Sequence, residues 1–351
     1  MDPISQGALG GALSQSIANK HNVARITLIG CLAGMAPDLD VLIQSDTDPI
    51  LFLEFHRQFT HSLIFIPIGA LIVSIALYPF MRSALDFKTV YLAAALGYLT
   101  HGLLDACTSY GTLLLWPFSD ERIAWNNVSV VDPVFTIPLL LFVVCAIKSK
   151  KTVYRWLALG WAVSYLCLGF IQHERTFATA KKIANSRGHS GERLTLKPSF
   201  GNLIVWKSIY QHQERYFVDA IRTAYSSTWC SGQTIDVFSF TKHLPTLDSD
   251  SQQAIDVERF RWFSQDYLGY DYEHQLVTDI RYSMIPSETS PMWGLRINPD
   301  FSERDHAIWW ADRKLTENQL DDFTDMLIGN DCYSSTPKPS DHVSNIREKE
   351  T

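Results

Sequence analysis

None of the six cysteines in this 351-residue chain stands at CxxC or zinc-knuckle spacing, so no thiolate metal site is legible. There is no basic block either. With 30 Lys and Arg against 37 Asp and Glu the formal net charge is −7, and the electrostatic footprint of a nucleic-acid partner is missing. The chain opens without a charged n-region, an apolar h-region or a small-residue cleavage site, so no cleaved leader is expected and Met1 is expected on the mature protein. Internal repeats and low-complexity tracts are absent. So are the His-Glu-x-x-His of zinc metallopeptidases and the Gly-x-Ser-x-Gly of serine hydrolases.

The charge that is present is unevenly spread. Residues 1–172 hold 10 Lys and Arg and 11 Asp and Glu, whereas residues 173–351 hold 20 and 26. The spacing predicts a mainly α-helical polytopic membrane domain of four to six segments over 1–172, followed by a small α+β soluble domain over 173–333 and a disordered tail over 334–351. About 20 apolar residues cross a bilayer as a helix. Runs 62–81, 90–115 and 153–172 meet that length, and 132–147 is shorter but strongly apolar. Segments 4–18 and 24–43 are rich in Gly, Ala and Ser, and read as spans or as half-helices packed on the bundle.

Loops 19–25, 82–88 and 148–155 hold eight basic residues, against only Arg57 and Arg122 in 44–61 and 114–131. By the positive-inside rule the first set is cytoplasmic, and everything after Gln172 lies outside the cytoplasm. In that half Leu203–Tyr210, Arg215–Ala220, Gln275–Tyr282 and Met292–Ile297 alternate as strands do, and 252–268 reads as a helix. Cys31, Cys107, Cys145 and Cys167 read as small core residues, while Cys230 and Cys332 can pair if the soluble domain is exported.

Polar motifs interrupt the apolar half: Asp2-Pro3-Ile4-Ser5-Gln6-Gly7, Pro37-Asp38-Leu39-Asp40, His56-Arg57-Gln58-Phe59-Thr60-His61-Ser62, His101-Gly102-Leu103-Leu104-Asp105 and Val131-Asp132-Pro133. Under this topology each lies at or near the non-cytoplasmic membrane face. Ionisable groups at membrane depth are costly and point to a functional site. Imidazoles and carboxylates are ligands for Zn²⁺ or Mn²⁺. The expected metal ligands are Asp38, Asp40, His56, His61, His101 and Asp105, enough for one or two divalent ions, with His101 and Asp105 on one helix face at i and i+4. Asp40 is the expected catalytic base and Arg57 the guanidinium that neutralises an anionic substrate. Asp132 before Pro133 reads as a structural turn at a span entry. His101-x-x-x-Asp105 is similar to the last motif of membrane lipid-phosphate phosphatases, but Ala95 stands where their basic residue belongs, which excludes that class.

Taken in order, Asp2-Pro3 with Gly7, Pro37-Asp38-Leu39-Asp40, His56-Arg57 with Thr60-His61-Ser62, His101-Gly102 with Leu104-Asp105, Gly111-Thr112 and Pro117-Phe118-Ser119 resemble the YdjM-type family of metal-dependent inner-membrane hydrolases. The resemblance covers about 1–172. It implies a multi-span protein of a bacterial inner membrane whose His and Asp motifs bind metal. Many relatives have His where this chain has Gln6.

The reading is a membrane hydrolase in which a metal-activated water attacks an ester or phosphoester, with a membrane lipid as the expected substrate class, and no nucleic-acid partner. An ion or metal transporter would instead place ionisable groups on both sides of the midplane, and a regulatory membrane protein would keep the metal for structure.

Overall fold

In a computed structural model, residues 1–330 and the backbone of Tyr333–Ser334 are described. Two units are present: Met1–Phe170 with Phe200–Asn202, and Ile171–Ser199 with Leu203 onward.

The first unit is helical: α1 (Pro3–Ser14), α2 (Val23–Met35), the short α3 (Leu51–Phe55), α4 (Ile66–Met81), α5 (Phe87–Cys107), α6 (Pro133–Ser149) and the start of α7 (Thr152–Ser186). Among the described residues, three helical segments are long and apolar enough to cross a membrane: Leu63–Met81, Phe87–Cys107 and Thr152–Ser186. α6 is a shorter apolar helix. With 12 and 13 residues, α1 and α2 fall short of a full crossing. They are the packed half-helices of the two expectations.

Two Asp-Pro pairs start helices in the same way. Asp2 accepts the amides of Ile4 and Ser5, Asp132 accepts those of Val134 and Phe135, and Pro3 and Pro133 stand in the first turn, where a missing N–H costs nothing. Asp132 also accepts the Tyr165 hydroxyl at 2.8 Å. The apolar run expected over 90–115 stops being helical at Cys107, because Thr108 turns extended and its hydroxyl donates to the Asp105 carbonyl at 2.7 Å. Beyond it the chain loops, with one bridge between Thr112 and Ile123.

α5 is the most enclosed of the candidate spans, two thirds buried against 17% for Leu63–Met81. α1, α2 and α4 pack on it. Glycine permits the closest approach: a Cβ on Gly97 would stand 2.4 Å from the Gly30 carbonyl oxygen of α2. Ile26, Ile29, Ala33, Ala93, Ala94 and Tyr98 fill the space around that crossing.

The second unit is an antiparallel sheet of ten strands with a few helices. Its order is β1 (Glu192–Pro198), β2 (Val205–His212), β3 (Arg215–Thr223), β5 (Thr234–Val237), β6 (Leu268–Asp271), β7 (Leu276–Asp279), β8 (Trp293–Arg296) and β9 (Ile308–Ala311). β4 (Ser227–Cys230) also pairs with β3 and carries β10 (Tyr333–Ser334). Helices α8 (Phe240–His243), α9 (Gln252–Phe263) and α10 (Glu317–Ile328) complete it. The alternating segments expected as strands are β2, β3, β7 and β8, and α9 is the expected helix. Ile209, Tyr216, Val218, Ile235 and Ile280 form one of its cores. Cys230 is disulfide-bonded and the four membrane-unit cysteines are free. Cys332 lies outside the described residues, as does the tail expected over 334–351 apart from the Ser334 backbone.

Candidate metal centre

The centre is assembled from four stretches of the first unit. After α2 the chain tightens into a 3-10 turn, Ala36–Leu42, opened by Pro37 and carrying Asp38 and Asp40. After α3 it passes His56 and Arg57 to a second 3-10 turn, Phe59–His61. His101 and Asp105 come from the last two turns of α5. Gly102 sets the distance between these pieces, since a Cβ there would stand 2.3 Å from the His61 carbonyl oxygen.

His61, His101 and Asp105 are fully enclosed, and Asp38 keeps 23% of its side chain exposed. One donor atom from each of these four lies within 4.8 Å of the others. His61 Nε2 and His101 Nε2 face each other at 2.8 Å. Asp38 Oδ1 is 3.5 Å from the first and 3.4 Å from the second, and Asp105 Oδ2 is 3.3 Å and 3.8 Å away. Ligands of a tetrahedral ion at about 2.0–2.1 Å stand roughly 3.3 Å from one another. The nitrogen–nitrogen and nitrogen–oxygen separations, 2.8–3.8 Å, bracket that spacing.

Protonation fits as well. His101 Nδ1 donates to the Gly34 carbonyl at 2.5 Å, and His61 Nδ1 is 3.2 Å from Asp40 Oδ2. An imidazole that spends its proton on Nδ1 presents a bare lone pair at Nε2, the tautomer that binds a metal. With both imidazoles neutral, two lone pairs face each other, while Asp105 Oδ2 accepts no hydrogen bond and has Arg57 Nε 3.1 Å away. Electron-rich atoms gathered in this way are held together by a cation between them or by a proton shared between the imidazoles. The donor set fits a divalent ion.

Asp38, Asp40 and His56 form a second group within the same limit, sharing Asp38 with the first. Here Asp40 is already committed. Its Oδ1 pairs with His56 Nδ1 at 2.7 Å, and its Oδ2 accepts the Thr60 hydroxyl at 2.7 Å and the Arg57 amide at 3.1 Å. His56 is the open member, with a third of its side chain exposed.

Arg57 does not face an open surface. It is 4% exposed, its Nε stands 3.1 Å from Asp105 Oδ2, Nη1 donates to the Thr108 hydroxyl at 3.1 Å, and its guanidinium lies 5.1 Å from the Tyr110 ring centroid. The guanidinium expected to neutralise an anionic substrate thus lies inside the centre, against Asp105. Its φ of 66° lies in the left-handed region, at a cost of about 1–2 kcal/mol. The Asp40 carboxylate on its N–H and the Leu113 amide on its carbonyl at 3.0 Å hold that conformation.

Gln6 belongs to the same wall. It is fully buried, its Nε2 donates to Asp105 Oδ1 at 2.8 Å, and its Oε1 has no partner. The Met1 amino nitrogen also pairs with Asp105 Oδ1. Thr60 and Thr108 were not singled out by residue type. Their signal is adjacency, Thr60 preceding His61 and Thr108 standing one helical turn after Asp105.

The model of the YdjM inner membrane protein family matches residues 1–176. Among curated proteins, YfhP of Bacillus subtilis (strain 168), described as uncharacterized, is 31% identical over 129 residues, which is 36% of this chain and 39% of that protein. The inner membrane protein YbcI of Escherichia coli (strain K12) is 30% identical over 131 residues, 36% of this chain and 75% of that protein. The chain thus spans about two fifths of the first relative and three quarters of the second. No solved structure matches it.

Proposed function

This chain belongs to the YdjM inner membrane protein family, a multi-pass protein of the inner membrane, and from that premise we propose that it is a metal-dependent hydrolase of lipid esters or phosphoesters. The observation that carries the reading is the convergence of two imidazole nitrogens and two carboxylate oxygens on one buried point. Asp38, His61, His101 and Asp105 would hold the ion, Zn²⁺ or Mn²⁺, with Asp40 and His56 beside it as a hydrogen-bonded pair. A divalent ion so held supplies Lewis acidity and lowers the pKa of water toward neutrality.

The protein's own residues do the rest. Asp40 keeps His61 in its ligating tautomer and, through His56, offers a carboxylate–imidazole pair that takes up a proton at the open edge of the centre. Arg57 and Gln6 hold the two oxygens of Asp105 in place. Leu39 and Leu42, on the turn that carries Asp38, are 64% and 75% exposed, and Ile4 is 62% exposed. Apolar surface beside the partly open Asp38 and His56 favours a substrate with an acyl chain. The loop charges favour an outer-face centre with the C-terminal unit outside the cytoplasm.

The test is elemental analysis of the full chain in lipid nanodiscs, followed by hydrolysis assays on glycerophospholipids and acylglycerols before and after chelation. One or two bound ions with chelator-sensitive turnover are expected. A metal-free protein, or a metal-loaded one that turns over neither class, refutes the reading.

A further inference from the structure

The family match ends at residue 176, and the second unit has a cleft of its own, far from the His and Asp motifs in sequence. It has a volume of about 520 Å³, within the roughly 300–1,000 Å³ of small-ligand sites. One wall is the segment after α8, the floor is β6 and β7, and the other wall is the loop after β8.

The floor is aromatic. Tyr270 is half-buried and its ring stacks on that of His243, with centroids 4.7 Å apart and planes 24° from parallel. The His243 side chain is fully enclosed, and its Nδ1 takes the Ser239 amide at 3.0 Å. The tyrosine is thus backed by a ring that is itself held in place. Around it stand Gln275, Asn298, Asp248 and Glu303, with Val277 and Phe301 supplying apolar surface. Among the described residues, no Lys or Arg lines the cleft.

This lining selects a ligand class. Two carboxylates without a cation repel phosphates and carboxylates. A purely apolar molecule would use the ring and leave the amides and carboxylates around it without a part in binding. A flat π-surface ringed by amides and carboxylates fits a molecule with a C–H face and hydroxyl edges: the face packs on the ring, and hydroxyls both donate to carboxylates and accept from amide N–H groups. We propose that this cleft binds an uncharged pyranose sugar, packed on Tyr270 and hydrogen-bonded by Gln275, Asn298, Asp248 and Glu303. The second unit is then a glycan-binding module, independent of the metal centre.

The full chain in lipid nanodiscs, free of maltoside detergent that carries the same sugar chemistry, is titrated with maltotriose, cellotriose and N,N′,N″-triacetylchitotriose under saturation-transfer NMR. Transfer to the ring protons of at least one is expected. Tyr270→Ala should weaken that binding about five-fold or more, as loss of an aromatic contact does, while Tyr270→Phe keeps it within about two-fold, since the ring is retained. Gln275→Ala, at an exposed position, should weaken it without altering the melting temperature, so the test does not depend on the folding of the tyrosine variant. The proposal is overturned if none of the three sugars shows transfer, if both Tyr270→Ala and Gln275→Ala bind like the wild type, or if spermidine or inorganic phosphate displaces the sugar.

Discussion

Asp40 contacts both His56 and His61, and the geometry separates two roles for it. If it supports His61, replacing it by Asn preserves its shape but removes the carboxylate that fixes the imidazole proton on Nδ1. The amide oxygen replaces only one of the two carboxylate oxygens, so the NH2 meets either His56 Nδ1 at 2.7 Å, or Thr60 Oγ1 at 2.7 Å and His61 Nδ1 at 3.2 Å. Loss of such a partner typically weakens a metal site about 10–100-fold, or roughly 1.4–2.7 kcal/mol. The assay is a competition titration of the stripped full-length protein against a chromophoric chelator, with stoichiometry from elemental analysis. Asp40→Asn should bind as many ions as the wild type at the four-donor position, 10–100-fold more weakly, while His101→Ala should lose that ion. If Asp40→Asn loses a whole ion while the remaining one binds with unchanged affinity, Asp40 is a direct ligand and the supporting role is refuted. If His101→Ala keeps full stoichiometry and affinity, the four-donor centre itself is refuted.

Gly102→Ala drives a methyl into the His61 carbonyl; it should cost about 1–3 kcal/mol and lower metal content, read by thermal melts beside elemental analysis, and full metal content would show that His61 does not depend on this approach. Asp132→Ala removes both the cap of α6 and the acceptor of Tyr165, so a loss of about 1–2 kcal/mol is expected, and a melt unchanged from wild type would count against the cap. Lys207 is buried, bonded to Ser283 Oγ at 2.6 Å and the Glu288 carbonyl at 2.8 Å, and burial pushes its amine down to about 7. The unfolded lysine titrates near 10.4, so between about pH 7 and 10 the unfolded state binds the extra proton and this residue makes stability rise with pH, by up to about 1.4 kcal/mol per unit. Buried Lys197, also pushed down by burial, adds in the same direction. Lys207→Met should flatten the pH dependence of melting, and an unchanged slope would refute the assignment.

Much of the fold was legible because its signals are local. Length and apolarity marked the candidate spans, and period-two alternation marked β2, β3, β7 and β8. The site was legible as a set of residue types, because His and Asp inside an apolar sequence are too costly to be incidental. Where 90–115 was read as one run, the helix ends at Cys107, because Thr108 closes its last turn through a hydroxyl that an apolarity count does not weigh. Arg57 is legible from its chemistry as the charge that meets an anion, but its contact with Asp105, 48 positions away, comes only from packing.

By itself the sequence determined that this chain has a membrane half and a β-rich half, and that His and Asp motifs gather in the first. Both are consequences of composition and short-range periodicity. Only the tertiary structure decided which nitrogen of each imidazole faces the centre, that Asp38 is shared by two donor groups, that Arg57 and Gln6 serve Asp105, and that Tyr270 is backed by His243 in the second unit. Those facts depend on contacts between residues far apart in the chain, set by how closely glycine-lined helices approach and how strands pair.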